Sequence, residues 1–392
     1  MTLEVPAADF YHAQELLSDG ERELLGTVRE FLRTEVAPHA NYYWDRAEFP
    51  HHLIGGIAEL GIAGLQYDEC TDETASNLFW GLLTTEFARV DQSTRVFFGA
   101  HADLAMGAIH RLGSAAQRQR WLPAMARMER IGCFALTEPG SGSDVAKGLS
   151  TTARRDGDTW VLDGVKRWIG NATFADVLVV FARDVADDQV KAFLVEKGMP
   201  GLRTTKIENK YALRTVQNGE ITLDGCRVPE DNRLQECHGF RGVSDCLRLT
   251  RSNVAWDAVG DMSAAYELAL ERAKNHEQFG RPIAKFQLVQ DLLVKMLGNV
   301  TASMSMVVRL AEQQDRGRFL DEQSSLAKIY CAARLREVVS WARELFGAEG
   351  IVLDNDIMRF FADAEAVYSY EGTHQINTLI VGRAATGVGA FV

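Results

Sequence analysis

Apolar residues along this chain switch from a helical period to an alternating one near Ile131, and the helical period returns from Gly242 onward. Such a pattern demands helices, then strands, then helices. The stretch 18–38 opens with a capping-type Ser18-x-x-Glu21 and sets Leu24, Leu25, Val28, Phe31, Leu32 and Val36 at helical spacing before Pro38. Helical patterns follow over 53–65, 75–89 and 95–113, the first and last apolar enough to read as buried, and Pro123 interrupts the next. Between 149 and 170, Asp156-Gly157 separates two strand-like runs and predicts a hairpin. Short strands at 177–184, 191–198 and 219–229 suit a compact antiparallel sandwich or barrel. Long helical runs at 254–274, 286–314 and 321–347 carry wide apolar stripes, as in a helix bundle that also packs against copies of itself. The expected class is α+β: an N-terminal helical domain over 1–130, a central antiparallel β domain over 131–237, and a C-terminal domain of the four-helix-bundle type over 238–392.

Bulk properties exclude several functions. A net charge of −12 leaves no basic footprint for nucleic acid. The six cysteines are scattered, without a C-x-x-C pair or a histidine at ligand spacing, which argues against a zinc site and a disulfide framework. No window reaches the continuous apolar run of a membrane span, and the acidic N-terminal stretch (Glu4, Asp9, Glu15) lacks a leader pattern. The expectation is a soluble cytoplasmic protein with no metal, membrane or nucleic-acid partner.

The chemistry-bearing stretches are few. In the tail, Glu371 follows the aromatic residues Tyr368 and Tyr370 and precedes Gly372 and Thr373. Thr373 can cap a following helix and Gly372 can let backbone approach a ligand. A carboxylate buried there is a proton acceptor; left in water it is an ordinary surface acid. The loop Gly140-Ser141-Gly142-Ser143 can cradle a phosphate, although it matches neither a Walker A loop nor a dinucleotide fingerprint and by itself reads more readily as a plain surface turn. Trp168 and Ile169 end a strand, where an aromatic ring either packs in the core or lies on a flat cofactor. Arg281, behind Phe279-Gly280, is an anion contact or a surface charge. Thr250-Arg251, read as the head of a long helix, needs a phosphate or carboxylate partner for its cation.

In this order, the motifs 136-LTEPGSGSD-144, 166-KRWIGN-171, 278-QFGRP-282 and 370-YEGTHQINTLIVGRAATG-387 resemble those of the acyl-CoA dehydrogenase family, over nearly the whole chain. Segments 86–95 and 133–144 and the Tyr370-Glu371 pair look closest to the glutaryl-CoA dehydrogenase branch and to a related short-chain acyl-CoA oxidase of plants. The resemblance implies an FAD enzyme removing two hydrogens across Cα–Cβ of an acyl-CoA, passing electrons to an electron-transfer flavoprotein, and assembled as a homotetramer. It makes Glu371 the base for the α-proton, its backbone N–H and a ribityl hydroxyl clamping the thioester carbonyl while hydride goes to flavin N5. It assigns Phe134, Leu136, Thr137, Gly142, Ser143, Trp168, Ile169 and Gly170 to the flavin edge. His276, Gln278, Phe279, Gln287, Glu344, Gly347, Ala348, Thr373 and Gln375 match further cofactor contacts, some of them to the FAD of a neighbouring subunit. Substrate contacts would be Arg95, Ser143, Leu247, Arg251, Tyr370 and Gly372, with Arg251 toward CoA.

Four departures qualify the resemblance. His276 stands where the family pairs an Arg with the FAD pyrophosphate, so FAD retention should be weaker or pH-sensitive. Glu349 adds a carboxylate in 347-GAEG-350, and Gly170 replaces a Thr beside N5, as in the plant oxidase. Arg95 matches an Arg that holds a distal carboxylate in glutaryl enzymes, but Gly99 and Ala88 replace its companion Ser and Glu; Arg95 could equally pair with Asp91. An oxidase using O2, a dehydrogenase of carrier-protein-bound acyl groups and a non-enzymatic DNA-binding relative are the rival readings.

Overall fold

The computed structural model describes residues 6–390, so Glu4 lies outside the described residues. The Asp19–Phe31 helix begins with the expected capping box: Ser18 accepts from Glu21 N–H and the Glu21 carboxylate accepts from Ser18 N–H. The 53–65 run is shorter than its apolar pattern suggests, with helix only over Leu53–Glu59. Pro123 does not end its helix, which runs Ala115–Ala126. The 95–113 run begins earlier, at Gln92–Gly99, passes through a π-type segment at Ala100–Met106, and finishes as Gly107–Leu112.

Two glycines let the N-terminal helices lie close on the bundle. A Cβ at Gly81, in the Asn77–Val90 helix, would strike the Trp256 ring at 2.1 Å, and one at Gly260 would strike Ala88 at 2.6 Å. Both Trp256 and Gly260 belong to a 36-residue helix, Phe240–Asn275. That helix begins before the apolar run does, so Thr250 and Arg251 sit within it and the reading of them as a helix head is corrected. The bundle is completed by Gln287–Asp315, Asp321–Phe346, Ile357–Ser369 and His374–Thr386. Gln287–Asp315 is, by length and composition, apolar enough to cross a bilayer, contrary to the sequence expectation. Its Met296, Val300, Met304 and Val307 face the core instead, while Leu288 and Val294 are exposed.

Strands β1 (Gly132–Ala135), β2 (Thr152–Asp156), β3 (Thr159–Ile169), β4 (Val177–Asp184), β5 (Val190–Glu196), β6 (Leu202–Lys206) and β7 (Gly219–Pro229) form one seven-stranded sheet. The predicted hairpin joins β2 to β3, with Asp156 opposite Thr159 and Gly157 at φ +63° in the two-residue turn. The sheet is not wholly antiparallel. β5 takes one edge of β4, while β1 and β2 share the other, both parallel to it. A parallel pair needs a crossover, and here the β2–β3 hairpin and its flanking loops provide it between β1 and β4. The unbroken apolar run of β4 follows from burial on both faces: Val177, Val179 and Phe181 join the helical core, Leu178, Val180 and Ala182 the β interior.

Candidate active site

The tail is built as the residues suggest, with one difference. Thr373 caps the His374–Thr386 helix by accepting from Ile376 N–H. Glu371 and Gly372 turn the chain into it with φ of +56° and +86°. Gly372 is thus required by the left-handed turn, and its neighbour Glu371 holds a conformation that costs a non-glycine residue energy. Buried Lys328 holds the turn together, its ammonium donating to the carbonyls of Tyr368 (2.8 Å) and Gly372 (3.0 Å). Nothing in the sequence marked that lysine, which sits inside the Asp321–Phe346 helix.

Glu371 Oε2 accepts from the Thr250 hydroxyl at 2.6 Å. Burial raises the Glu371 pKa above the usual carboxylate value; the Thr250 hydrogen bond and Arg251 pull it down, and Asp257 and Asp103 push it up. Behind it, the Tyr370 hydroxyl donates to Asp257 (3.2 Å) and accepts from Gln92 (3.0 Å). Arg95 pairs with Asp257 (2.8 Å) and Asp103 (2.6 Å), and its guanidinium lies where a Cβ on Gly99 would be, at 2.4 Å. The suggested Arg95–Asp91 pair is not formed, because Asp91 caps Thr94 and pairs with Arg359. With two carboxylates already on a guanidinium that is 3% exposed, Arg95 is a structural cation. Ala88 is set by its fit against Gly260. Arg251 pairs with Asp321 at 2.6 Å, and half-buried Leu247 lies one turn before it.

The flavin-edge candidates gather on β1, β3 and the loop between β1 and β2. Glu138 accepts from Lys166 (2.8 Å) and from the N–H groups of Ser150 and Thr151, clamping that loop to β3. The Thr137 hydroxyl donates to the Arg167 carbonyl at 2.6 Å. Between Lys166 and Ile169, β3 carries one more residue than its partner strand, and Trp168 has φ +66°. This bulge leaves Ile169 in the core and throws Trp168 outward, 55% exposed. Phe134 and Leu136 are buried, and Ser143 and Gly142 are exposed. Asn171 donates to the Phe97 carbonyl at 3.0 Å, and Gly170 lies beside Ala100, so this edge sits on the helical run that carries Gln92 to Tyr370.

The remaining candidates lie elsewhere. His276 follows the last residue of the long helix, with its Nε2 3.1 Å from the Gln278 amide nitrogen; Phe279 is 92% exposed, and Gln287 opens the next helix. Glu344, Gly347 and Ala348 are exposed at the end of Asp321–Phe346, which Arg272 over the Phe346 ring places beside His276. Glu349 is exposed there too, its carboxylate 3.3 Å from the Asn355 amide. Thr250 and His276 are on the order of 40 Å apart along one helix. Of the candidate cofactor residues in the tail, Thr373 is half-buried and Gln375 exposed.

The flavin edge fits a flat, phosphate-bearing cofactor. The Trp168 ring projects from the bulge, touched by the Arg167 guanidinium at 5.6 Å; the buried Ser141 hydroxyl has no hydrogen-bond partner among the described residues; Gly140 and Gly142 face open space. Asp68, Glu69 and His110 also bring ligand-type atoms within 4.8 Å, but Arg118 already pairs with Glu69 at 2.8 Å.

This fold and site define an FAD-dependent oxidoreductase. Residues 18–129, 133–226 and 237–386 match, in order, the acyl-CoA dehydrogenase N-terminal, middle and C-terminal domains. The chain belongs to the acyl-CoA dehydrogenase family. It is similar to the mitochondrial short-chain specific acyl-CoA dehydrogenase of Mus musculus, 32% identical over 93% of this chain and 90% of the relative. A glutaryl-CoA dehydrogenase of Mycobacterium smegmatis, solved in complex with FADH2, superposes with a TM-score of 0.94 at 32% identity, covering 99% of this chain and 100% of that one. A structure described as the electron transferring flavoprotein of Acidaminococcus fermentans reaches 0.90 at 30% identity, covering 94% and 98%.

Proposed function

We infer that this chain removes two hydrogens across Cα–Cβ of an acyl thioester, with Glu371 taking the α-proton, and passes the electrons to an electron-transfer flavoprotein. The carrying observation is the Glu371 carboxylate, held in a left-handed turn, raised in pKa by burial and hydrogen-bonded by Thr250. A raised pKa strengthens the base, while the fixed turn aims it at one spot. Bound FAD supplies the acceptor for the β-hydrogen and its electron pair. Lys328 and Asn377, both donating to the Gly372 carbonyl, keep the base from swinging when it is protonated. The distance between the two groups of cofactor residues supports an assembly in which one subunit completes its neighbour's FAD site, and a homotetramer satisfies this.

The test is anaerobic mixing with a panel of acyl-CoAs. Flavin bleaching is expected with at least one substrate, and Glu371→Gln should abolish it while FAD stays bound; bleaching that survives the substitution refutes the assignment of the base.

Gly170 favours a second reading, an oxidase. Its φ lies outside the left-handed region, and a Cβ there would meet Ala100 and Val216 only at 3.5 and 3.9 Å, so the fold does not demand glycine. The space it leaves beside the flavin edge is open to O2. Peroxide formed from acyl-CoA in air, and suppressed in Gly170→Thr, would establish that reading.

A further inference from the structure

Next to Thr250 a cavity of about 200 Å3, partly open to solvent, lies between the N-terminal helices and the first half of the long helix. Thr250, which donates to Glu371, forms part of its wall, so one residue separates the cavity from the carboxylate. The long helix lines it with Cys246, Leu249, Thr250, Ser252 and Asn253. Leu247 and Arg251, the residues expected to meet CoA, fall on a different stripe of that helix and are not among the lining. In the dehydrogenase reading above, a cavity next to Thr250 and off the Leu247–Arg251 stripe is on the acyl side of the thioester.

Its walls are unlike those a hydrocarbon chain requires. Asn253 and, across from it, Gln66 make no side-chain hydrogen bond among the described residues, yet both are half-buried on the lining. A methyl group pressed against them would strip water from two amides and return nothing. A distal carboxylate is also disfavoured near the base. Glu371, Asp103 and Asp257 gather around Arg95, whose charge is already shared between the two aspartates. Arg111, on the same lining but exposed and without a partner among the described residues, is the cation a distal carboxylate would meet instead, which adipyl-CoA tests.

We propose that the acyl group this chain oxidises carries an uncharged hydrogen-bonding substituent, a hydroxyl or an amide, which Asn253 and Gln66 receive. The inference rests on the dehydrogenase reading above and narrows its substrate class. Pantetheine amides share this chemistry, so the test must separate the two sources.

Holoenzyme is mixed anaerobically with 4-hydroxybutyryl-CoA, with pentanoyl-CoA (a methyl in place of the hydroxyl) and with adipyl-CoA. The expected result is a kcat/KM about tenfold or more in favour of the hydroxylated substrate, since a site built to hydrogen-bond a hydroxyl rejects its apolar analogue. Asn253→Leu, and independently Gln66→Leu, should invert that ratio, and the inversion should persist with S-ethyl thioesters, which carry neither pantetheine amide. Retention of the flavin spectrum and of the melting temperature establishes that each variant is folded. Preference for pentanoyl-CoA or adipyl-CoA, equal loss on all substrates in both variants, or an effect that disappears with the truncated thioesters overturns the inference and leaves the dehydrogenase reading standing. If none of the thioesters bleaches bound flavin, the dehydrogenase reading falls and takes this inference with it.

Discussion

A single proton links Thr250 to the role of Glu371. The Thr250 hydroxyl lies within reach of two acceptors, Glu371 Oε2 at 2.6 Å and the Leu247 carbonyl at 3.1 Å. With Glu371 ionised, the hydroxyl donates to the carboxylate. With Glu371 protonated, the carboxyl can donate to Thr250 and the hydroxyl can turn to Leu247, so both states are satisfied. As the proposed base, Glu371 must be ionised to work, and burial raises its pKa, so activity should fall with acid at a higher pH than for an ordinary carboxylate. Thr250→Val removes a donor that favours the ionised form; the acid limb of kcat/KM should move to higher pH, and an unmoved limb would exclude this coupling. Arg95 behaves differently. Arg95→Gln strands Asp103 and Asp257 in the core, so denaturant unfolding should report a loss of about 3–5 kcal/mol. The sequence could not decide between Asp91 and a substrate carboxylate for Arg95. Its partner Asp257 is 162 positions away, and no local spacing rule reaches that far.

Among the elements, the loop-to-strand clamp shows how a motif can be functional in position and structural in composition. Thr137-Glu138 and Lys166 are part of the family likeness, yet Glu138 and Lys166 touch each other in the interior. Lys166 holds Glu138 at a pKa of about 2 against burial, and burial lowers Lys166 to about 8. A carboxylate depressed from 4.5 to about 2 contributes stability that is complete above pH 4.5 and is lost as pH falls toward 2. Glu138→Gln should therefore lower the melting temperature at neutral pH and flatten its decline between pH 4.5 and 2; an unchanged slope would mean the pair does not couple to folding. Lys328→Met should slow turnover by up to about 10²-fold with FAD retained, because it releases the carbonyls flanking Glu371. The β2–β3 hairpin was legible because its signal is local, while the parallel pairing of β1 and β2 with β4 was not. Both faces of β4 are buried, and an unbroken apolar run carries no mark of which strands flank it. The return of the helical period at Gly242 lies two residues from the start of the long helix at Phe240. Arg241, Asp245 and Arg248 interrupt the apolar stripe, however, so the continuous run read from 254 set Thr250 and Arg251 at its head.

Over the whole molecule, the candidate cofactor residues divide into two groups, and the division has a physical consequence. Thr137, Trp168 and Glu371 sit toward one end of the bundle, while His276, Gln278, Phe279 and Gly347 sit at the other. One FAD molecule does not span on the order of 40 Å of helix. The second group is also where apolar surface is most exposed: Phe279 at 92% and Leu288 at 82%, with Val294 further along the same helix. Apolar residues so placed are stable in water when a neighbouring copy covers them. Burial of that surface and completion of the FAD site would then be one event, which predicts that assembly and cofactor retention fail together. Leu288→Glu puts a charge into the contact without touching Glu371, so light scattering should report a smaller species and the flavin absorbance should drop in proportion. His276→Arg, which adds a forked guanidinium at the same end, should raise FAD retention without dissociating the assembly. A Leu288→Glu protein that dissociates yet keeps its full complement of FAD would show that each subunit holds the cofactor alone, and the second group of residues would then need another explanation.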